Sequence, residues 1–167
     1  MDASLVNPFI RALAHVVDTM VELPLQWGAP EVALQGEAPH EVSALIALAG
    51  NPRGCVVISM TEPLARRIVG ALWGVTPDVL DADGLDALGE VANMVAGSAK
   101  NKLPWAGGTL SPPQVFRAGS AVPYPPGVPV LRLPCRLDAA PLVLDIALQS
   151  AGPAGPRRAE VRPLIVL

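Results

Sequence analysis

The chain has 167 residues, with 12 basic and 15 acidic side chains and a formal net charge of −3 at pH 7. Hydrophobic residues make up 51% of the chain and charged residues 16%, which excludes a chain that is mainly disordered. The acidic balance argues against binding to nucleic acid or to an anionic membrane surface, because affinity for phosphate comes from clustered Lys and Arg side chains.

The mean hydropathy of +0.41 raises the question of a membrane segment. The stretch with the fewest charges, residues 103–131, carries only Arg117 but is interrupted by seven prolines, which prevent a continuous helix. The N-terminus has no basic region ahead of an apolar core, so no signal peptide is predicted. Without such a signal, Cys55 and Cys135 are expected to be buried, reduced thiols. We therefore expect a cytoplasmic protein without a membrane segment.

The first half of the chain predicts a helix followed by short strands. The helix is predicted to open at Asn7-Pro8, with Asn as the cap and Pro at the first helical position. From residue 23 to residue 50, Pro and Gly separate short segments that are typical of strands joined by turns. The apolar runs 42–49 and 55–60 flank a turn at residues 50–54 and predict a β-hairpin.

The second half predicts two more helices and two more strands. Thr61 and Gly74 mark the start and the end of a predicted helix over Glu62–Trp73, and a third helix is predicted over residues 84–103. The late segments 130–137 and 142–148 alternate between apolar and outward positions, and Asp145 is predicted to point outward. Mixed blocks of this kind indicate an α+β fold, with helices on a mostly antiparallel sheet.

A Gly- and Pro-rich stretch at residues 152–156 divides the chain into two parts. Residues 1–150 are predicted to form one domain. Residues 151–167 are predicted to be a linker and a short tail, which is either disordered or adds one strand.

Most known constellations of catalytic residues are absent from the sequence. The two histidines and two cysteines have no spacing typical of a metal site, so no metal is predicted. The sequence also contains no phosphate-binding loop, no dinucleotide-binding glycine motif and no nucleophile elbow. We therefore expect the chain itself to bind no cofactor.

The third predicted helix carries a polar stripe opposite its apolar face. Steps of four, three, four and three residues place Asp86, Glu90, Asn93, Gly97 and Lys100 within about 80° of the helix surface. The stripe is either a solvated face with a hydrogen bond between Glu90 and Asn93, or a functional surface. Asn and Gly each cost about 0.5–1 kcal/mol relative to Ala inside a helix, and Gly97 leaves room for the backbone of a partner. Both features favour the functional interpretation.

Residues 86–100 resemble the D-x-x-x-E-x-x-N helix of the CheC/CheX/FliY phosphatases. Further landmarks resemble this family in the same order along the chain, at residues 7–10, 54–60, 127–134 and 142–148. A single such helix points to the CheX branch. The resemblance implies a CheC-like α+β fold with long helices on an antiparallel sheet, and often a homodimer joined through that sheet.

The resemblance also implies a function, which is hydrolysis of the phosphoaspartate of a CheY-like response regulator in two-component and chemotaxis signalling. Asn93 is expected to orient the attacking water, and Glu90 to bind a lysine of the phosphorylated receiver domain. Asp86 is expected either to widen that contact or to be a carboxylate that the helix dipole favours near the N-terminus. Gly97 is expected to leave room for the partner, and Lys100 either faces solvent or contacts the partner, which brings its own Mg²⁺. Two alternatives are an adaptor that binds a receiver domain without catalysis and a structural component of the flagellar switch.

Overall fold

A computed structural model describes residues 2–33, 38–103, 108–118 and 120–150. The tail at residues 151–167 lies outside the described residues, so its boundary with the domain stays a prediction. The elements of the described part are α1 (Ala3–Met20), β1 (Leu25–Trp27), β2 (Glu31–Ala33), β3 (Val42–Ala49), β4 (Arg53–Met60), α2 (Glu62–Trp73), α3 (Ala82–Lys100), β5 (Thr109–Leu110), β6 (Gln114–Arg117), β7 (Val130–Leu137) and β8 (Ala140–Gln149).

The eight strands form one sheet in the order β1-β7-β8-β4-β3-β5, in which β2 also pairs with β7 and β6 also pairs with β3. Each of these pairings is antiparallel. The predicted hairpin is present as β3 and β4, although β4 begins at Arg53, two residues earlier than predicted. The α+β fold with helices on an antiparallel sheet is therefore confirmed.

The helices cover one face of this sheet. Alternate residues of the central strands, including Ile46, Ile58 and Leu144, belong to the same buried cluster as Phe9 of α1 and Val95 of α3. Helices α1 and α3 also pack against each other. Helix α3 thus packs against the main core with one side only, and the opposite side of the helix faces outward.

The start of α1 differs from the prediction. The helix begins at Ala3, where the Asp2 carboxylate caps it by accepting a hydrogen bond from the Ser4 backbone N–H at 2.9 Å. Pro8 therefore lies inside the helix, where a proline costs about 3 kcal/mol. Leu5 and Val6 are buried in the preceding turn, and burial of two such side chains contributes about 3–6 kcal/mol. Tertiary packing outweighs the local penalty.

The ends of the other two helices follow local signals more closely. Helix α2 has the predicted bounds, and Gly74 ends it in the left-handed region with φ of 76°, although the Thr61 side chain makes no capping hydrogen bond. Helix α3 begins two residues earlier than predicted, because the Asp81 side chain caps it through the Gly84 backbone N–H at 2.9 Å. It ends at Lys100 rather than at residue 103.

The outward direction predicted for Asp145 is wrong. Asp145 is 1% exposed, because residues 120–129 fold over the face of the sheet opposite the helices and form a second apolar cluster there. The Asp145 carboxylate accepts a hydrogen bond from the Tyr124 hydroxyl at 2.6 Å and two from the Arg132 guanidinium at 2.9 and 2.8 Å. Burial, together with the hydrogen bond to Asp145, raises the pKa of Tyr124 above its usual range.

No helix in the described residues is long and apolar enough to span a membrane.

Candidate functional site

Helix α3 presents the predicted polar stripe at its surface. Asp86 and Glu90 are exposed, and Asn93, Gly97 and Lys100 are half-buried. The opposite side of the helix is buried in the main core by Leu88, Ala92, Val95, Ala96 and Ala99. The structure therefore places all five candidate residues along one accessible face, and their roles stay a prediction.

Two glycines of α3 have different surroundings. A Cβ atom added to Gly89 would lie 3.1 Å from both Cβ and Cγ of Pro113 and 3.6 Å from Cγ2 of Val115. A Cβ atom added to Gly97 would have no neighbour within 4 Å. Gly89 thus allows close packing of α3 against the chain at β6, whereas internal packing does not require a glycine at Gly97.

A groove of about 360 Å³ runs beside the stripe, on the side of Gly89. Its apolar lining includes Leu85, Pro113 and Val115, and the carboxylates Asp86 and Glu90 stand at the same groove. Pro113 and Val115 are residues of the site that the sequence analysis did not identify. Gly89, a glycine inside a helix, was the one sign in the sequence of a close contact. The sequence does not show which residue makes that contact, because Pro113 is 24 positions further along the chain (113 − 89).

Interactions of Arg117 hold this region together. Its guanidinium forms an ion pair with Glu62 at 3.2 Å and donates a hydrogen bond to the Leu80 carbonyl, just before α3. Strand β6 is thereby tied to the start of α2 and to the segment that leads into α3. These contacts connect β6 to the segment just before α3, whose N-terminal half carries Asp86 and Glu90.

The two thiols of the chain lie away from this site and are chemically quiet. Cys55 and Cys135 are free and buried, as predicted. Burial raises the pKa of each thiol to about 12, with the Asp145 charge as a second cause for Cys55. Neither thiol is therefore a nucleophile at neutral pH. Among the described residues, no group of three His, Cys, Asp or Glu side chains is placed to hold a metal ion.

Comparison with known proteins identifies the family. Residues 42–136, more than half of the chain, match the sequence profile of the family described as chemotaxis phosphatase CheX. A curated relative from Thermotoga maritima, named CheY-P phosphatase CheX, is 30% identical over 118 residues, which cover 69% of this chain and 76% of the relative. The chain belongs to the CheX family. The resemblance to this family is confirmed, and the roles of the motif residues on α3 stay predictions.

Solved structures agree with this assignment. A CheC-like superfamily protein from Shewanella sp. PV-4 superposes with a TM-score of 0.81 at 26% identity, over 90% of this chain and all of that protein. CheX of Borrelia burgdorferi, solved in a complex with CheY, BeF₃ and Mg²⁺, superposes with a TM-score of 0.68 at 22% identity. That match covers 87% of this chain and 97% of the Borrelia chain, and it supports the CheX fold.

Proposed function

We propose that this CheX-family chain is a cytoplasmic phosphatase that hydrolyses the phosphoaspartate of a CheY-like response regulator. The observation that supports this most directly is the accessible face of α3, on which Glu90 and Asn93 lie one helical turn apart. The name of the Thermotoga relative, CheY-P phosphatase, supports the choice of substrate. Because the buried thiols stay protonated, a covalent intermediate at cysteine is disfavoured, and we propose that water is the nucleophile.

Asn93 is the residue that we assign to the attacking water. Hydrolysis requires a water in line with the phosphorus, so that the new P–O bond forms as the bond to the aspartyl oxygen breaks and inorganic phosphate leaves. The carboxamide of Asn93 both accepts and donates hydrogen bonds, so it can orient this water without being consumed. The receiver domain would contribute Mg²⁺, which would stabilise charge on the phosphoryl oxygens.

Glu90 is assigned to docking. Its exposed carboxylate is one turn before Asn93, so a charge-assisted hydrogen bond to a lysine of the receiver would set the angle at which α3 approaches. Asp86 extends the negative surface by one more turn, and Gly97 and Lys100 extend the contact toward the end of the helix. The open space around Gly97 allows the backbone of the partner to approach closely.

Phosphate release from a phosphorylated CheY receiver domain tests this function. A panel of such domains is phosphorylated with acetyl phosphate in the presence of Mg²⁺ and incubated with the wild type, with Asn93→Ala or with buffer. Asn7→Ala serves as the matched control, because it removes a half-buried asparagine from a different helix, α1. We expect acceleration by the wild type and the control, and none by Asn93→Ala. A wild type without effect on any receiver contradicts the function, and an active Asn93→Ala contradicts the assignment of the water.

The proposal includes a homodimer joined through the sheet. Strand β2 lies at one edge of the sheet, where it pairs with β7, and Val32 on this strand is 68% exposed. Edge strands present backbone N–H and C=O groups to which another strand can pair. Sedimentation equilibrium of the full chain is expected to give twice the mass of 17.3 kDa, and a monomer at all concentrations contradicts the dimer.

A further inference from the structure

One large apolar side chain is exposed on α3 directly beside the polar stripe. Met94 is 42% exposed, and the other large apolar side chains exposed in the described residues lie on different elements. Single exposed apolar side chains are ordinary on protein surfaces. The position of Met94 therefore matters more than its exposure.

Helix geometry places Met94 beside the two motif residues. At about 100° per residue, Met94 lies about 40° to one side of Glu90, whereas Asn93 lies about 60° to the other side. Glu90 thus stands between a carboxamide and a thioether side chain. Met94 is also one turn further along the helix than Glu90, a rise of about 6 Å. A protein surface that covers Glu90 and Asn93 and extends about 40° further around the helix contacts Met94.

The surroundings of Met94 leave it free to make such a contact. Its neighbours Val91 and Val95 are buried, at 6% and 0% exposure, and they anchor this turn of the helix to the core. At Gly97, three residues further along, no atom other than its chain neighbours and the helix backbone lies within 4 Å of the position that a Cβ would take, so Met94 borders an open surface. The unbranched thioether side chain adapts to irregular apolar surfaces, and Met is enriched in the cores of protein interfaces.

We infer that Met94 is a docking residue that packs against an apolar side chain of the receiver domain, next to the phosphoaspartate site. This inference rests on the proposed function. Glu90 and Asn93 recognise charge and water, which every phosphorylated receiver presents, whereas an apolar contact depends on the particular side chain opposite it. Met94 therefore sets affinity and the choice among receiver domains, and it is not a catalytic residue.

The size of the effect follows from the exposed part of the side chain. Complete burial of that part is expected to tighten binding about three- to eightfold relative to a polar side chain that gains nothing from leaving water. The contact is made before and during hydrolysis alike, so KM for the receiver changes while kcat does not.

Three variants test the inference in the phosphate-release assay. Met94→Gln keeps the length and the helix propensity of the side chain but makes it polar, and Met94→Leu keeps it apolar. Val79→Thr is the matched control, because Val79 is 70% exposed in the connection between α2 and α3. We expect Met94→Gln to raise KM about three- to eightfold at unchanged kcat, and we expect Met94→Leu and Val79→Thr to match the wild type.

The outcomes separate this inference from the proposed function. If the wild type accelerates phosphate release and Met94→Gln leaves KM unchanged, the inference is wrong and the function stands. An equal rise of KM in Val79→Thr also overturns the inference, because the effect would then not depend on α3. If the wild type accelerates release from none of the receivers, the function and the inference are both wrong.

Discussion

Gly97 offers the sharpest test of the idea that α3 is a docking face rather than a solvated surface. In the interior of a helix, replacing Gly by Ala stabilises the fold by about 0.5–1 kcal/mol when the added methyl group meets no neighbour. At Gly97, apart from its two chain neighbours and the surrounding helix backbone, no atom lies within 4 Å of that methyl position. For a chain of this length, the gain corresponds to a rise in Tm of about 1–4 °C. We therefore expect Gly97→Ala to be more stable than the wild type.

A side chain at Gly97 is also expected to weaken binding of the phosphorylated receiver. If the receiver backbone approaches Gly97, a side chain at this position must be accommodated between two surfaces, and overpacking of this kind costs about 1–3 kcal/mol. Gly97→Leu, which is also a good helix former, should therefore raise KM for the phosphorylated receiver about 5- to 150-fold. Gly97→Ala should show a smaller rise.

The assay combines thermal unfolding, followed by circular dichroism, with phosphate release over a range of receiver concentrations. Gly89→Ala is the control in the same helix. It gains the same helix propensity, but its methyl group would lie 3.1 Å from Pro113, so we expect no rise in Tm. A stable Gly97→Leu with the KM of the wild type would refute the docking role. A Gly97→Ala variant less stable than the wild type would contradict the expectation that the added methyl group meets no neighbour.

Three further predictions concern charge and burial. Glu90→Gln should raise KM for the phosphorylated receiver about tenfold, or about 1.4 kcal/mol, because a neutral amide makes a weaker hydrogen bond to lysine. It should also remove much of the dependence of KM on NaCl, and an unchanged salt dependence would contradict this. Asp145→Asn should cost about 3–5 kcal/mol in urea unfolding, since it removes one partner of a buried ion pair, whereas Asp138→Asn, in an ion pair whose side chains are 42% and 52% exposed, should cost less than about 1 kcal/mol. Because burial raises the pKa values of Cys55 and Cys135 to about 12, the native state holds protons that the unfolded state loses from about pH 8.5 upward. Stability should therefore fall between about pH 9 and 12, and both thiols should react with a thiol reagent only after unfolding.

Features encoded by neighbouring residues were predictable from the sequence. Helix α2 has the predicted bounds, and its end follows a local stop signal, because Gly74 adopts the left-handed region. The stripe on α3 was predictable for a similar reason, since Glu90, Asn93 and Gly97 share a face through helix geometry alone. The order of motifs along the chain was enough to indicate the CheX family, which the comparisons confirm.

Features that depend on residues far apart in the chain were decided only by the tertiary structure. The early start of α1 follows from burial of Leu5 and Val6 in the core, which outweighs the local penalty of Pro8. The burial of Asp145 follows from residues 120–129, which cover a sheet face that alternation alone predicts to be open. The sequence by itself therefore determined the helix that carries the motif and its polar face, because both need only backbone periodicity. What covers each face, and which neighbours each glycine meets, depends on packing between distant segments, and only the folded chain decides it.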